Sequence, residues 1–286
     1  MSQPSQNYDA LIIGGGPAGA CAGAILGEYG HRVLIIEREK FPRYHIGESL
    51  MPDTYHTLRR LGVVDRMKGS RHTPKFSVQF VTDTGKESQP FYFFENNPHE
   101  CSQTWQVVRS EFDAMLVENA ASQGVTVLEG HIARDVHMDG GRATGACLHP
   151  KDGEAFDMAA DVVIDATGQT ALIANKLGLK KPDPLLRKSS IWTYYEGAAR
   201  EPGRLDEGAT LVLATQGKKG WFWYIPLKDN IVSVGVVSGL DDLFPPGGSR
   251  DIAAIYQEQL ERCPAAKKRV MPGKQVGPHF TTKDFS

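Results

Sequence analysis

The sequence predicts an α/β fold that opens on a strand–turn–helix–strand unit and closes on a β-rich region. Residues 8–13 end in the apolar run ALII, which gives way at once to GGGPAG. After one helix length a second apolar run, residues 33–36, delivers Glu37. Beyond residue 190, short runs rich in aromatic and β-branched residues recur at 191–196, 210–214, 221–225 and 231–237, with Lys228, Asp229 and Asn230 as the turn between the last two.

The N-terminal unit carries its own chemistry. Gly14, Gly16 and Gly19 stand in the G-x-G-x-x-G arrangement between a strand and a helix. Gly14 permits the tight turn, Gly16 leaves room for a pyrophosphate, and Pro17 and Ala18 open the helix, where a missing proline N–H costs nothing. Free N–H groups and a partial positive charge then face the anion. Gly19, Gly23 and Gly27 share one helix face, and each costs about 1 kcal/mol relative to alanine. That sacrifice fits a face pressed closely on a sheet and a ligand. Glu37, 18 residues after Gly19, is placed to accept the ribose hydroxyls of an adenosine. The unit is expected to bind a dinucleotide.

Residues 38–52, REKFPRYHIGESLMP, read as a long loop. Taken alone, Arg43, His45, Glu48 and Ser49 fit a solvated connection as well as a site. A short helix follows from Asp53 to Leu61, stopped by Gly62. Phe112, Met115, Leu116 and Ala120 fit a helical face, and Gly124 separates it from a strand at 125–128. The apolar run 162–164 carries Asp165, Ala166, Thr167 and Gly168 off its end, small residues that let backbone approach a ligand.

Composition excludes several classes. A net charge of −2 offers no footprint for nucleic acid. Cys21, Cys101, Cys147 and Cys263 are too scattered for a zinc site or a redox pair, and the nine histidines show no paired ligand spacing, so no metal is expected. No run approaches the ~20 apolar residues of a membrane span, and the polar N-terminus lacks a secretory pattern. The expectation is a cytoplasmic protein without an integral membrane segment.

GGGPAG with Glu37, then V-x-R-x-x-F-D over residues 107–113, then DATG over 165–168, together resemble the flavoprotein monooxygenase superfamily of the p-hydroxybenzoate hydroxylase type. The resemblance implies a Rossmann-like FAD-binding domain over residues 1–180, with 71–100 lending strands to an inserted, mostly antiparallel substrate sheet at 181–286 that is followed by a helix. It implies FAD contacts from Gly14, Gly16, Pro17, Ala18, Gly19, Glu37, Arg38, Arg43, Ser49, Arg109, Asp165 and Gly168. No second G-x-G-x-x-G suggests a nicotinamide domain. In that superfamily a Gly-Asp segment returns the chain to FAD after the sheet, yet none of the 30 glycines here precedes an aspartate. The C-terminal closing part is therefore expected to be missing, and the chain to be a fragment.

In residues 76–81, FSVQFV, Phe76, Val78 and Phe80 share one face while Ser77 and Gln79, with Lys75 just before them, share the other, as in a half-buried strand. In GWFWYIPL, residues 220–227, Trp221, Trp223 and Ile225 alternate with Phe222, Tyr224 and Pro226, so both faces are apolar. Core packing alone accounts for such bulk. An indole has one N–H donor and no acceptor, so a functional tryptophan here acts as a wall and not as an acid, base or nucleophile.

W-x-W-x-I-P, with GGGPAG and FPRYHIGESLMP, resembles the flavin-dependent halogenases, most closely those acting on phenols, pyrroles or carrier-tethered aromatic acids. The resemblance covers about residues 8–240. It implies an oxidoreductase of secondary metabolism that uses FADH2, O2 and halide to chlorinate or brominate an electron-rich aromatic through hypohalous acid. Trp221, Trp223, Ile225 and Pro226 would separate flavin from substrate, and Lys75 would handle the hypohalous acid, as a haloamine or by hydrogen bonding. A separate NAD(P)H-dependent flavin reductase and a small aromatic substrate, free or tethered to an acyl or peptidyl carrier protein, are the implied partners. A reductase of the geranylgeranyl reductase type and an aromatic hydroxylase share the fold. An inactive flavin-binding module that docks a carrier protein through the basic stretches 180–188 or 266–274 is the alternative of another class.

Overall fold

The computed structural model describes residues 8–283. They divide into two compact units, one formed by residues 8–46, 57–65 and 109–180, the other by 47–56, 66–108 and 181–283.

The first unit is built on a six-stranded sheet in the order Thr126–Glu129, Val33–Glu37, Tyr8–Ile13, Phe156–Asp165, Arg142–Pro150, His131–Asp139. The first four strands run parallel and the last two pair antiparallel. Leu11 and Ile12 in the central strand are wholly buried, as a continuous apolar run requires when both faces of a sheet are covered. Register decides where the site lies. Ile13 pairs with Ile36 on one side and Asp165 on the other, so GGGPAG, Glu37 and the 165–168 turn all leave the sheet at one edge.

The helix Pro17–Glu28 buries Gly19 and Gly23, and a Cβ on Gly23 would stand 2.6 Å from Ile35 Cδ1. The glycine stripe thus brings this helix down on the sheet. The helix Arg109–Ser122 packs beside it and buries Phe112, Met115, Leu116 and Ala120. The antiparallel pair His131–Asp139 and Arg142–Pro150 is an addition to the sequence reading, joined by Gly140 and Gly141 at φ 55° and 83°.

The second unit holds a seven-stranded sheet in the order Lys274–Lys283, Lys188–Glu196, Ile231–Gly239, Gly220–Pro226, Thr210–Ala214, Ser77–Val81, Phe91–Tyr92. Every adjacent pair is antiparallel except Thr210–Ala214 with Ser77–Val81. A separate ribbon joins Thr73–Lys75 to Thr104–Gln106. Asp229 and Asn230 take φ of 56° and 59°, the paired left-handed conformations of a tight hairpin turn. Phe222, Tyr224, Val234 and Val236 form a core with Tyr256 and Leu260 of the helix Ile252–Glu261 and Ala266 of Pro264–Val270. Three helices, Leu240–Leu243, Ile252–Glu261 and Pro264–Val270, therefore follow the strand Ile231–Gly239 where one was expected, and the chain then returns as the edge strand Lys274–Lys283.

The buried face at residues 75–81, which alternation left open, is the polar one. Lys75, Ser77 and Gln79 are the buried set, whereas Phe80 is 52% exposed. Alternation divides a strand into two faces without saying which is inside. Here Lys75 and Gln79 reach the carbonyls of Leu50 and Ser88, which lowers the cost of burying polar groups. Among the described residues no helix is long and apolar enough to cross a membrane.

Candidate functional site

At the shared strand edge of the first unit lies a cavity of about 580 Å³, within the range typical of cofactor sites. Gly14, Gly16, Pro17, Ala18, Glu37, Arg38, Arg43, Arg109, Asp165 and Gly168 all line it. Gly14 has φ 109°, and a Cβ there would collide with the Ala166 carbonyl. A Cβ on Gly16 would meet only Arg43 Nη2, at 3.7 Å, so that position is an open cradle beside the N-terminus of the 12-residue helix Pro17–Glu28. Gly19 is placed behind this surface, and a Cβ there would collide with the Gly14 carbonyl, so it fixes the turn.

Glu37 is buried at the end of its strand. Its Oε2 accepts the Gly15 N–H at 3.1 Å and its Oε1 that of Glu39 at 3.1 Å, which orients the carboxylate without exhausting its lone pairs. Arg43 donates to Glu37 Oε2 at 3.3 Å and to Asp113 Oδ2 at 2.9 Å. Arg109 grips the same Asp113 through two bonds of 2.8 and 2.9 Å, and donates to the Ile46 carbonyl at 2.7 Å. Asp113, fully buried, thus ties together two cationic wall residues. Asp165 is occupied within its own turn, accepting from Thr167 N and Oγ1 and from Ile173 N at 3.1, 2.6 and 2.7 Å.

A glycine cradle at a helix N-terminus, an acceptor carboxylate, guanidinium groups and a cavity of this size fit a flavin adenine dinucleotide. His131, Ile132 and Ala133 also line the cavity, from a strand the sequence reading left unmarked. Among the described residues no cluster of side chains is suited to hold a metal ion.

Ser49 belongs to the second unit. The Glu48 carbonyl accepts the Val107 N–H at 2.7 Å and the Leu50 N–H reaches the Trp105 carbonyl at 3.1 Å, which clamps Ser49 between two backbone bonds. Lys75 is 2% exposed, and its Nζ lies 3.0 Å from both Ser49 Oγ and the Leu50 carbonyl. The amine stands 5.3 Å from the centre of the Phe93 ring. Burial lowers its pKa from 10.5 to about 8, because a charged amine is poorly solvated there. Ser49 Oγ also contacts Thr210 Oγ1 at 2.9 Å, and Gln106 Nε2 donates to Thr210 Oγ1 at 2.8 Å. Residue order gives no hint of this group, whose members lie far apart in the chain.

The tryptophans occupy the sheet face opposite the buried Phe222 and Tyr224. Trp223 Nε1 donates to Ser233 Oγ at 3.2 Å, and a Cβ at Gly235 would stand 2.6 Å from Trp223 Cε2. Gly235 therefore lets the indole lie on the sheet. Trp192 packs beside Trp223 at 6.0 Å between ring centres and stacks on Phe280 at 5.7 Å. Ile225 and Pro226 are buried, while Trp221 is 39% exposed. A smaller cavity of about 220 Å³ is lined by Tyr55, Phe76, Phe94 and Trp105. Trp105 follows Thr104, the partner of Lys75, within its strand, so it projects to the other side of the ribbon from the amine.

The FAD binding domain family model matches residues 7–232. Flavin-dependent halogenase armH3 of Armillaria mellea is 35% identical over 246 residues, covering 84% of this chain and 48% of that protein. The 1H-pyrrole-2-carbonyl-[peptidyl-carrier protein] brominase of Pseudoalteromonas luteoviolacea is 29% identical, covering 98% and 67%. The solved structure of the myxobacterial chondrochloren halogenase CndH superposes with a TM-score of 0.87 at 33% identity, covering 98% of this chain and 64% of that one. The chain spans about half the length of most of the curated relatives it matches.

Proposed function

The chain belongs to the FAD-binding domain family, and on that premise we propose that it serves a flavin-dependent halogenase acting on an electron-rich aromatic. The observation that carries this reading is Lys75, an amine buried among hydroxyl, carbonyl and ring with its pKa brought down to about 8, in a chain whose relatives are named as halogenases.

FAD, when bound in its reduced form, supplies two electrons to O2 while a halide supplies two more, giving hypohalous acid and water. Gly14 to Ala18 would hold the pyrophosphate, Glu37 the adenosine ribose, and Arg38, Arg43, Arg109 and Gly168 the remainder of the cofactor, with Asp165 bracing the turn that carries Gly168. Ser49 acts with Lys75. In its neutral form Lys75 attacks the halogen of hypohalous acid, forming an N–halogen bond as hydroxide leaves and takes up the proton displaced from nitrogen. An aromatic carbon then takes the halogen as the N–halogen bond breaks, its electron pair returns to nitrogen, and the displaced ring proton restores the neutral amine. Trp221, Trp223, Ile225 and Pro226 exclude direct oxygen transfer. A separate flavin reductase supplies reduced FAD. Among phenols and pyrroles, free or carrier-tethered, the peptidyl-carrier brominase among the relatives favours a carrier-tethered pyrrole as substrate.

The test combines purified protein with FAD, a flavin reductase, NADH, O2 and bromide or chloride, and a panel of phenols and pyrroles, free and carrier-bound. The expected product is halogenated and depends on halide, and Lys75→Ala abolishes it. Hydroxylated product formed without halide would overturn the reading.

A further inference from the structure

We propose that Gln106, Thr210 and Ser49 form a one-way hydrogen-bond chain that ends on Lys75 and favours its neutral amine, making these three positioning residues for the lysine.

Direction follows from which atoms can only donate or only accept. Gln106 approaches two oxygens, the Gly208 carbonyl at 3.0 Å and Thr210 Oγ1 at 2.8 Å. A carbonyl only accepts, so the amide must present nitrogen there, and its two protons go to these two partners. Thr210 Oγ1 therefore receives a proton from Gln106. With Gln106 a donor to it, Thr210 Oγ1 has Ser49 Oγ, 2.9 Å away, as the partner left for its own proton. Ser49 is then an acceptor from Thr210, and its own proton is free to point at Lys75 Nζ, 3.0 Å away.

Only a neutral amine has a lone pair to receive that proton. In this state one Nζ–H donates to the Leu50 carbonyl at 3.0 Å, and the amide protons of Gln106 and the hydroxyl protons of Thr210 and Ser49 each have an acceptor. Protonation of Lys75 makes Ser49 accept an Nζ–H, so that either Ser49 or Thr210 keeps a hydroxyl proton with no acceptor within the chain, which carries a cost. The chain thus adds a directional preference to the effect of burial.

Charge is not the cause. The ionisable groups on the elements around the amine are Glu48, whose Oε1 accepts from Tyr194 Oη at 2.9 Å, His72, whose Nδ1 accepts the Val108 N–H at 3.4 Å, and Glu95 of the helix Phe93–Asn96. The downward shift at Lys75 arises from burial. All members of the chain lie in the second unit.

The inference rests on the halogenase reading only for the use made of the amine, so its test needs neither flavin nor turnover. The full chain is labelled with 13Cε-lysine, and the Lys75 signal, assigned by its loss in Lys75→Met, is titrated by NMR. The expected wild-type midpoint is near 8, with a rise of about half to one pH unit in Thr210→Val and in Gln106→Leu, the scale of one neutral hydrogen bond. Thr210→Ser, which restores the hydroxyl, is expected to return the midpoint to the wild-type value. Midpoints unchanged in Thr210→Val and Gln106→Leu, or shifted as far in Thr210→Ser as in Thr210→Val, would overturn the chain. Absent halogenation with these shifts intact would instead count against the proposed function alone.

Discussion

The cavity of the first unit and the lysine cluster of the second are made in opposite ways. The cavity is shaped by backbone: a left-handed Gly14, a bare Gly16 and strand ends in register, with Asp113 neutralising two arginines. The lysine cluster is shaped by side chains gathered from residues 49, 75, 106 and 210 around an amine that burial opposes. In the first, binding and stability are served by the same contacts. In the second they conflict, because a buried amine is kept at a cost in stability.

Substitutions can break this contrast. The largest loss is expected from Asp113→Ala, which leaves Arg43 and Arg109 facing each other without their carboxylate. Urea unfolding should show a loss of about 3 to 5 kcal/mol, together with loss of bound flavin. Gly19→Ala comes next, at about 3 kcal/mol, because its Cβ collides with the Gly14 carbonyl. Thermal melts and flavin absorbance after gel filtration check it, and a variant that retains both would contradict the account of the turn.

Lys75→Met should act in the other direction. The unfolded amine titrates near 10.5 and the folded one near 8, so between these values the unfolded chain binds more protons and wild-type stability rises with pH. Below pH 8 the cost of burying the charge is fully present. The variant is therefore expected to be about 1 to 3 kcal/mol more stable at pH 7, with the gain shrinking towards pH 10.5. Unfolding curves at pH 7, 9 and 10.5 test this. A difference independent of pH would show that packing, not charge, sets it.

The same contrast explains how much was legible in the sequence. Gly14, Gly16 and Glu37 could be read directly, because a tight turn against a phosphate demands glycine and a strand of known length delivers the carboxylate. Strands at 210–214 and 220–226 were legible from their aromatic and β-branched runs. The pair at 131–150 was missed although Asp139, Gly140 and Gly141 carry a hairpin signal, because its partly exposed strands lack clean alternation. The buried side of residues 75–81 could not be read either, since the acceptors that make it habitable come from Leu50 and Ser88. Ser49, grouped with the cofactor residues by resemblance, turns its hydroxyl to Lys75 and Thr210, a relation that exists only after folding.

The proposed function has oxidant generated with the flavin and spent through Lys75. It is tested most directly by measuring, in one reaction, O2 consumed and halogenated aromatic formed for wild type and Lys75→Ala. O2 consumption is expected to continue at the wild-type rate in the variant while product per O2 falls about 10³-fold, within the range for loss of a chemical catalyst group. Undiminished product per O2 in Lys75→Ala would contradict it.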